Sequence, residues 1–198
     1  SQTLGYENRQ WELHQFRSRY HREEVTNNRG GWAKLEFSKT EHLTSEGYFT
    51  YLKEFKGGHS LNAVAGYSYF EKNGENFNAE NYDFGVEGLK YWDLESGSYL
   101  TDGKAKMGSK KDITERLFAL YARANYSYND KYMVTATIRH EGSSKFAAEN
   151  RWGNFWALSG GWRVSGEEFM KEFDWVNDLK IRFGYGVTGN NDFDASYM

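Results

Sequence analysis

The sequence predicts an all-β fold, an antiparallel meander of six to eight strands with one short helix. Three observations carry this. Apolar residues recur with a period of two far more often than with the helical period of about 3.6. Aromatic side chains make up 18% of the 198 residues, with 21 Gly and no Pro, so the chain can bury surface and does not read as disordered. Tight turn signals alternate with long polar connections.

The first strand pair meets at Gly57-Gly58. After it, HSLNAVAGYSYF puts Leu61, Ala63, Ala65, Tyr67 and Tyr69 on one face and Ser60, Asn62, Gly66 and Ser68 on the other, with Val64 and Phe70 as exceptions. A long polar stretch from Glu71 to Ile113 follows, read as a loop over about 73–113. Strands resume over about 114–188. Phe118, Leu120, Ala122, Ala124, Tyr126 and Tyr128 share a face, and Leu117, Tyr121, Arg123, Asn125 and Ser127 mix on the other. Asn129-Asp130 reads as a two-residue hairpin turn, like Gly57-Gly58. Beyond it, Tyr132, Val134, Ala136 and Ile138 oppose Thr135, Thr137, Arg139 and Glu141. Trp156, Leu158 and Trp162 then oppose Ala157, Ser159 and Arg163, and Ile181, Phe183 and Tyr185 oppose Lys180, Arg182, Gly184 and Gly186. Between these last two strands, SGEEFMKEFDW from Ser165 predicts the helix, with Phe169 and Phe173 at i, i+4 and a capping box from Ser165 to Glu168.

Mean hydropathy is −0.87, and no run approaches the ~18 apolar residues of a membrane-crossing helix. Transmembrane strands escape that test, because alternation averages out. Short turns at one end and long loops at the other is an outer-membrane barrel arrangement. The aromatics Tyr126, Tyr128 and Tyr132 beside a tight turn sit where an interfacial girdle would lie. The alternative is a soluble or surface β-sheet module that binds glycan or protein. It would need its apolar face sealed by a second sheet. With 25 Lys and Arg against 28 Asp and Glu, no basic field recruits nucleic acid. The absence of Cys removes disulfides and thiol chemistry. The opening SQTLGYENRQ has no signal-peptide pattern, so targeting was removed or the chain is part of something longer.

Three stretches resemble one family. YMVTATIRHEGSSKF (132–146) is similar to the R-x-D-G-S-S-R/K-F signature of the SusC/RagA family of TonB-linked outer-membrane transporters, with Glu141 where Asp is usual. RWGNFWALSGGWRVSGEEFM from Arg151 resembles the next strand pair, with Phe155-Trp156 where Phe-Pro is frequent. DLKIRFGYGVTGNN (178–191) resembles L-K-L-R-x-S-Y-G-x-T-G-N, and KEFKGGHSLNAVAGYSYFEK resembles the hairpin before a large extracellular loop. The resemblance covers about 45–72 and 114–191. It implies a 22-stranded barrel of the outer membrane of Gram-negative Bacteroidota, filled by an N-terminal plug, capped by a SusD-like lipoprotein and energised by the TonB complex through the plug. Its cargo would be oligosaccharide or peptide, and the helix would be periplasmic. Nothing like the plug, the TonB box or the last barrel strand is recognisable, so the chain is expected to be an interior wall segment in contact with outer-membrane lipid.

No constellation for catalysis, cofactor or metal emerges. GYGVTG (184–189) satisfies G-x-G-x-x-G, but a dinucleotide site needs a helix at the last Gly and an acid about 20 residues on. His140 and Ser144 do not meet on an extended chain, and a turn in which Gly142 permits positive φ and Ser143 or Ser144 caps backbone groups is expected instead. Read as a strand, His21 and Glu23 share a face while Glu24 points away, and two ligands do not close a zinc site. The stretch 71–102 carries eight carboxylates against Lys72 and Lys90. It reads as a solvated loop or as a contact surface for the partner lipoprotein, with Tyr91 and Trp92 as anchors. The third reading, calcium, needs about six to eight oxygen ligands on a tight loop, and no EF-hand-like spacing supplies them. Arg139, Glu141, Arg163, Lys180 and Arg182 lie on polar strand faces. They are the candidate lumen-facing set, unless they form salt-bridge ladders between strands.

Overall fold

The computed structural model describes residues 1–112, 114–173 and 175–189. Among these lie β1 (Gln2–Arg17), α1 (Arg22–Thr26), β2 (Trp32–Phe55), β3 (His59–Tyr82), β4 (Lys106–Lys111), β5 (Glu115–Tyr128), β6 (Tyr132–Ser143), β7 (Trp152–Arg163) and β8 (Lys180–Gly186). All eight strands join one sheet in the order β1-β2-β3-β5-β6-β7-β8, with β4 paired to β3. The all-β meander is therefore as expected, and two compact units divide it: 1–5, 43–71 and 115–198 in one, 6–42 and 72–114 in the other.

In the first unit, antiparallel pairing aligns the apolar faces rung by rung. Tyr128, Tyr132, Trp162 and Ile181 form one rung, and Ala124, Ala136, Leu158 and Tyr185 another. A residue and its cross-strand partner point to the same side, so the apolar positions of four strands make one continuous surface. No second sheet covers it among the described residues. Ile138 is 55% exposed, Trp156 46% and Leu158 51%, and the unit's buried hydrophobic residues are Ala119 and Val164 alone. A water-soluble sandwich would bury these side chains, since burying each one is worth roughly 1.5–3 kcal/mol.

The tight turns form at one end. Asn129 (φ 51°) and Asp130 (φ 54°) are both left-handed, and Lys131 N–H closes on Tyr128 O at 3.0 Å. Asn and Asp tolerate that region better than other side-chain-bearing residues. Gly57 (φ 86°) and Gly58 (φ 81°) do the same between β2 and β3. Each loop spans three residues, one more than the sequence signal suggests, with Lys56 and Lys131 as the extra positions. The two turns are themselves joined by Asn129 N–H donating to Gly58 O at 2.7 Å. A girdle gathers here: His59 stacks on Tyr128 at 4.5 Å and bonds the Tyr126 hydroxyl at 2.6 Å.

The connection from β7 to β8 corrects the helix expected at Ser165. It holds two 3-10 turns, Val164–Gly166 and Glu168–Glu172, and the capping box does not form. Ser165 Oγ donates to Asp178 and Glu168 pairs with Lys171, while Phe169 and Phe173 stay exposed, so no packed face rewards an α-helix. Glu167 instead ties this end together, accepting from Tyr132 Oη at 2.6 Å, Trp162 Nε1 at 3.1 Å and Lys131 Nζ at 3.2 Å. Those bonds, the Tyr132 hydroxyl first, hold its carboxyl below the ordinary range. A carboxyl with a depressed folded-state pKa stabilises fully above its unfolded pKa, and the contribution fades as pH falls through the folded value. Acidification below the ordinary glutamate range should therefore loosen this cluster, read as a change in Trp162 fluorescence. Glu167→Gln should abolish that acid response while leaving the neutral-pH signal folded.

The second unit shows where the polar stretch 73–113 differs from a loop. β3 runs on to Tyr82, and Glu75 to Glu80 pair with Lys106 to Lys111 of β4, so irregular chain is confined largely to 83–105. Its core is Trp32, Ala33, Asn81, Tyr82, Phe84 and the fully buried Glu24. α1 is the α-helix among the described residues, and it occupies a stretch read from sequence as extended.

Candidate functional site

The polar face of the first unit is the candidate site, and the strand register decides which of its charges can meet. On β6, Arg139 and Glu141 are two residues apart and so share a face. Arg139 Nε donates to Glu141 Oε2, which makes the pair an intrastrand contact, and no cross-strand salt-bridge ladder forms from it. The pair borders a hollow of about 350 Å³ with Ser143, Trp152 and Phe155. Arg163, Lys180 and Arg182 gather elsewhere on the same face. Arg163 is directly opposite Lys180 and Gly161 opposite Arg182. Arg163 Nε reaches Asp178 only at 3.9 Å, whereas Lys180 Nζ lies 2.8 Å from Met133 Sδ. Lys180 and Arg182 border a second hollow of about 470 Å³, with Asn62, Asn125, Thr135 and Ser159. The five charges thus separate into a self-neutralised pair and a cationic cluster. The sequence placed all five on polar faces but could not sort them, because sorting depends on register.

Gly184 and Gly186 sit in β8 and serve close packing: a Cβ on Gly186 would come within 2.8 Å of Ala157 Cβ. Residues 190–198, where a dinucleotide helix would have to run, lie outside the described residues. His140 Nδ1 meets Asn154 Oδ1 at 2.7 Å and its ring stacks on Trp152 at 4.9 Å. Ser144 Oγ accepts from Arg116 N–H at 2.8 Å and Ser143 Oγ from Lys145 N–H at 3.3 Å, the capping expected of these serines. β6, however, runs on to Ser143 and Gly142 pairs within it without a positive φ, so the turn begins only beyond Ser143.

In the second unit, the strand geometry expected around His21, Glu23 and Glu24 is not what forms. The residues start a helix and do not lie on a strand, and their ligand atoms lie within 4.8 Å of one another. The groups are nevertheless engaged: Glu24 Oε2 meets Arg29 Nε at 2.7 Å, Glu23 pairs with Arg17, and His21 Nδ1 accepts from Glu23 N–H at 3.3 Å. The acidic stretch is likewise not simply solvated. Asp83 accepts from Gly30 N–H at 2.7 Å and Ser98 Oγ at 2.9 Å, Glu87 accepts from Arg19, and Glu80 pairs with Lys106. Its carboxylates clasp the segments on either side. Tyr91 and Trp92 pack on His14 of β1 at 5.0 and 5.4 Å, and Trp92 remains 72% exposed.

No family model matches the chain. Among curated proteins it is similar to TonB-dependent receptor P39 of Formosa agariphila, with 34% identity over 98% of the chain and 18% of that protein. It is also similar to TonB-dependent receptor SusC of Bacteroides thetaiotaomicron, with 36% identity over 49% of the chain and 10% of that protein. The chain thus spans less than a fifth of the length of these relatives. Among solved structures, the RagAB peptide importer in its closed-closed state superposes with a TM-score of 0.87 at 20% identity, over 99% of this chain and 21% of that one. In its open-open state the TM-score is 0.82 at 19% identity, over 96% and 20%. These likenesses are of fold.

Proposed function

Because this chain belongs with the SusC/RagA-like TonB-dependent receptors, we propose that it is a stretch of barrel wall in an outer-membrane nutrient importer. One observation carries the reading. The four strands β5 to β8 present a continuous apolar surface, uncovered among the described residues, on one side, while the other side carries the charged, polar and small residues with Leu117, Tyr121, Met133 and Phe155 interspersed. Lipid on the first side and a wet lumen on the second is the arrangement that satisfies both faces. The tight turns and their aromatic girdle then face the periplasm, with the 3-10 turns beside them. The irregular chain over 83–105 faces outward.

In this reading Arg139, Glu141, Arg163, Lys180 and Arg182 face the lumen, where plug and solute pass. Tyr91 and the exposed Trp92 offer an aromatic anchor to a SusD-like lipoprotein. The cargo is an oligosaccharide or peptide, and the TonB complex acts through a plug elsewhere in the polypeptide. Transport of this kind makes and breaks no covalent bond, so the chain carries no catalytic residue.

Spin labels placed one at a time from Met133 to Ile138 in the full-length receptor in lipid test the wall. Accessibility to dissolved oxygen should peak at Val134, Ala136 and Ile138. Accessibility to a water-soluble nickel chelate should peak at Met133, Thr135 and Thr137. A profile without that two-residue alternation would refute the wall assignment.

A further inference from the structure

We propose that the hollow beside Lys180 and Arg182 is an oxyanion subsite that takes a carboxylate. The inference rests on the reading that this face lines the lumen. Two cations line it, Lys180 and Arg182 on one face of β8, and Arg163 stands beside it, directly opposite Lys180. Like charges placed opposite one another oppose pairing. Among the described residues the cluster's ion pair within 4 Å is Arg163 with Asp178, at 3.9 Å, and none reaches Lys180 or Arg182.

The surroundings hold the positive charge inward. Gly161 leaves room for the Lys180 stem, since a Cβ there would lie 3.3 Å from Lys180 Cε, and the ammonium reaches across β7 to Met133 on β6. Around it stand neutral groups that hydrogen-bond without cancelling charge: Asn125 accepts from Thr135 Oγ1 at 2.9 Å, and Ser159 lies on the same rung. Asn62 also borders the hollow, and its backbone carbonyl accepts from Asn125 Nδ2 at 3.5 Å. Two cations and about 470 Å³ of space suit a carboxylate. Such a group has two possible sources: a solute in transit, or an Asp or Glu side chain from the polypeptide that fills the lumen.

The test uses the full-length receptor in lipid with Ser159→Cys as reporter and no other accessible thiol. Its modification rate is measured with a negatively charged sulfonatoethyl and a positively charged trimethylammonium-ethyl methanethiosulfonate. If the subsite is open to solutes, the anionic reagent reacts about tenfold faster, within the range of electrostatic steering. Lys180→Gln with Arg182→Gln removes that preference, Lys180→Arg with Arg182→Lys keeps it, and millimolar succinate slows the anionic reagent. If the receptor's own carboxylate fills the subsite, both reagents react slowly and both accelerate on neutralisation. Equal rates that neutralisation leaves unchanged would overturn the subsite. A Ser159→Cys thiol reached only by a lipid-partitioning maleimide would instead overturn the lumen reading, and the subsite with it.

Discussion

Leu158→Arg should cost about 2–4 kcal/mol of barrel stability, the penalty for a cation facing lipid near the bilayer midplane. Leu158 lies mid-strand on the uncovered face, between Ala136 and Tyr185. It stands four residues from Trp162 of the aromatic girdle, about 13 Å along the strand. At a tilt of ~40° that is about 10 Å along the membrane normal, close to half of the ~25 Å apolar band. Thr137→Lys, one residue out of phase on β6, should change stability by no more than about 0.5 kcal/mol, because the same charge then meets water. Denaturant unfolding of the full-length receptor in lipid vesicles reads both. Equal penalties at the two positions would mean that neither face is in hydrocarbon. Folded yield in the outer membrane should fall for the first variant and hold for the second.

That contrast was legible in the sequence for β5 to β8, where one face is apolar and the other is not, so periodicity and burial carry the same signal. It was not legible where both faces are wet. β1 is exposed along most of its length, and the far half of β3 reads EKNGENFNAENY. Alternation cannot reveal a strand held by contacts such as Lys34 with Glu36, Lys39 with Glu41 and Asn76 with Glu36. Those partners lie on the same or a neighbouring strand, and a one-dimensional reading has no access to register. α1 failed for a related reason: five residues are too few for a helical period, and their stability comes from what Glu24 meets. The site followed the same rule. The sequence placed five charges on polar faces, and only pairing sorted them into an Arg139–Glu141 contact and a cationic cluster.

Glu24→Ala should be the most damaging single change in the second unit, costing about 3–5 kcal/mol of local stability. The Glu24 side chain is fully buried, with Arg29 Nε at 2.7 Å from Oε2, Arg29 Nη2 at 3.1 Å and Arg17 Nη1 at 3.7 Å from Oε1. Both guanidinium groups also lie on aromatic faces, Arg17 on Trp32 at 4.3 Å and Arg29 on Tyr82 at 4.6 Å. The Trp32 indole and Tyr82 hydroxyl in turn donate to Glu80. Removing the carboxylate leaves Arg29 held against the buried Tyr82 ring with no carboxylate to neutralise it, while Arg17 keeps Glu23, and the uncompensated Arg29 charge is the source of the penalty. Replacing Glu24 and Arg29 together with Met should cost much less, since both the charge and its partner disappear while apolar volume is kept. Hydrogen exchange distinguishes these cases. The amides of Arg29, bonded to Glu24 O, and Asp83, bonded to Gly31 O, should lose protection in Glu24→Ala and largely regain it in the double variant. The β6 amides should keep theirs throughout. Unchanged protection at Arg29 and Asp83 in Glu24→Ala would show that the aromatic packing of Trp32 and Tyr82 holds this unit without the carboxylate.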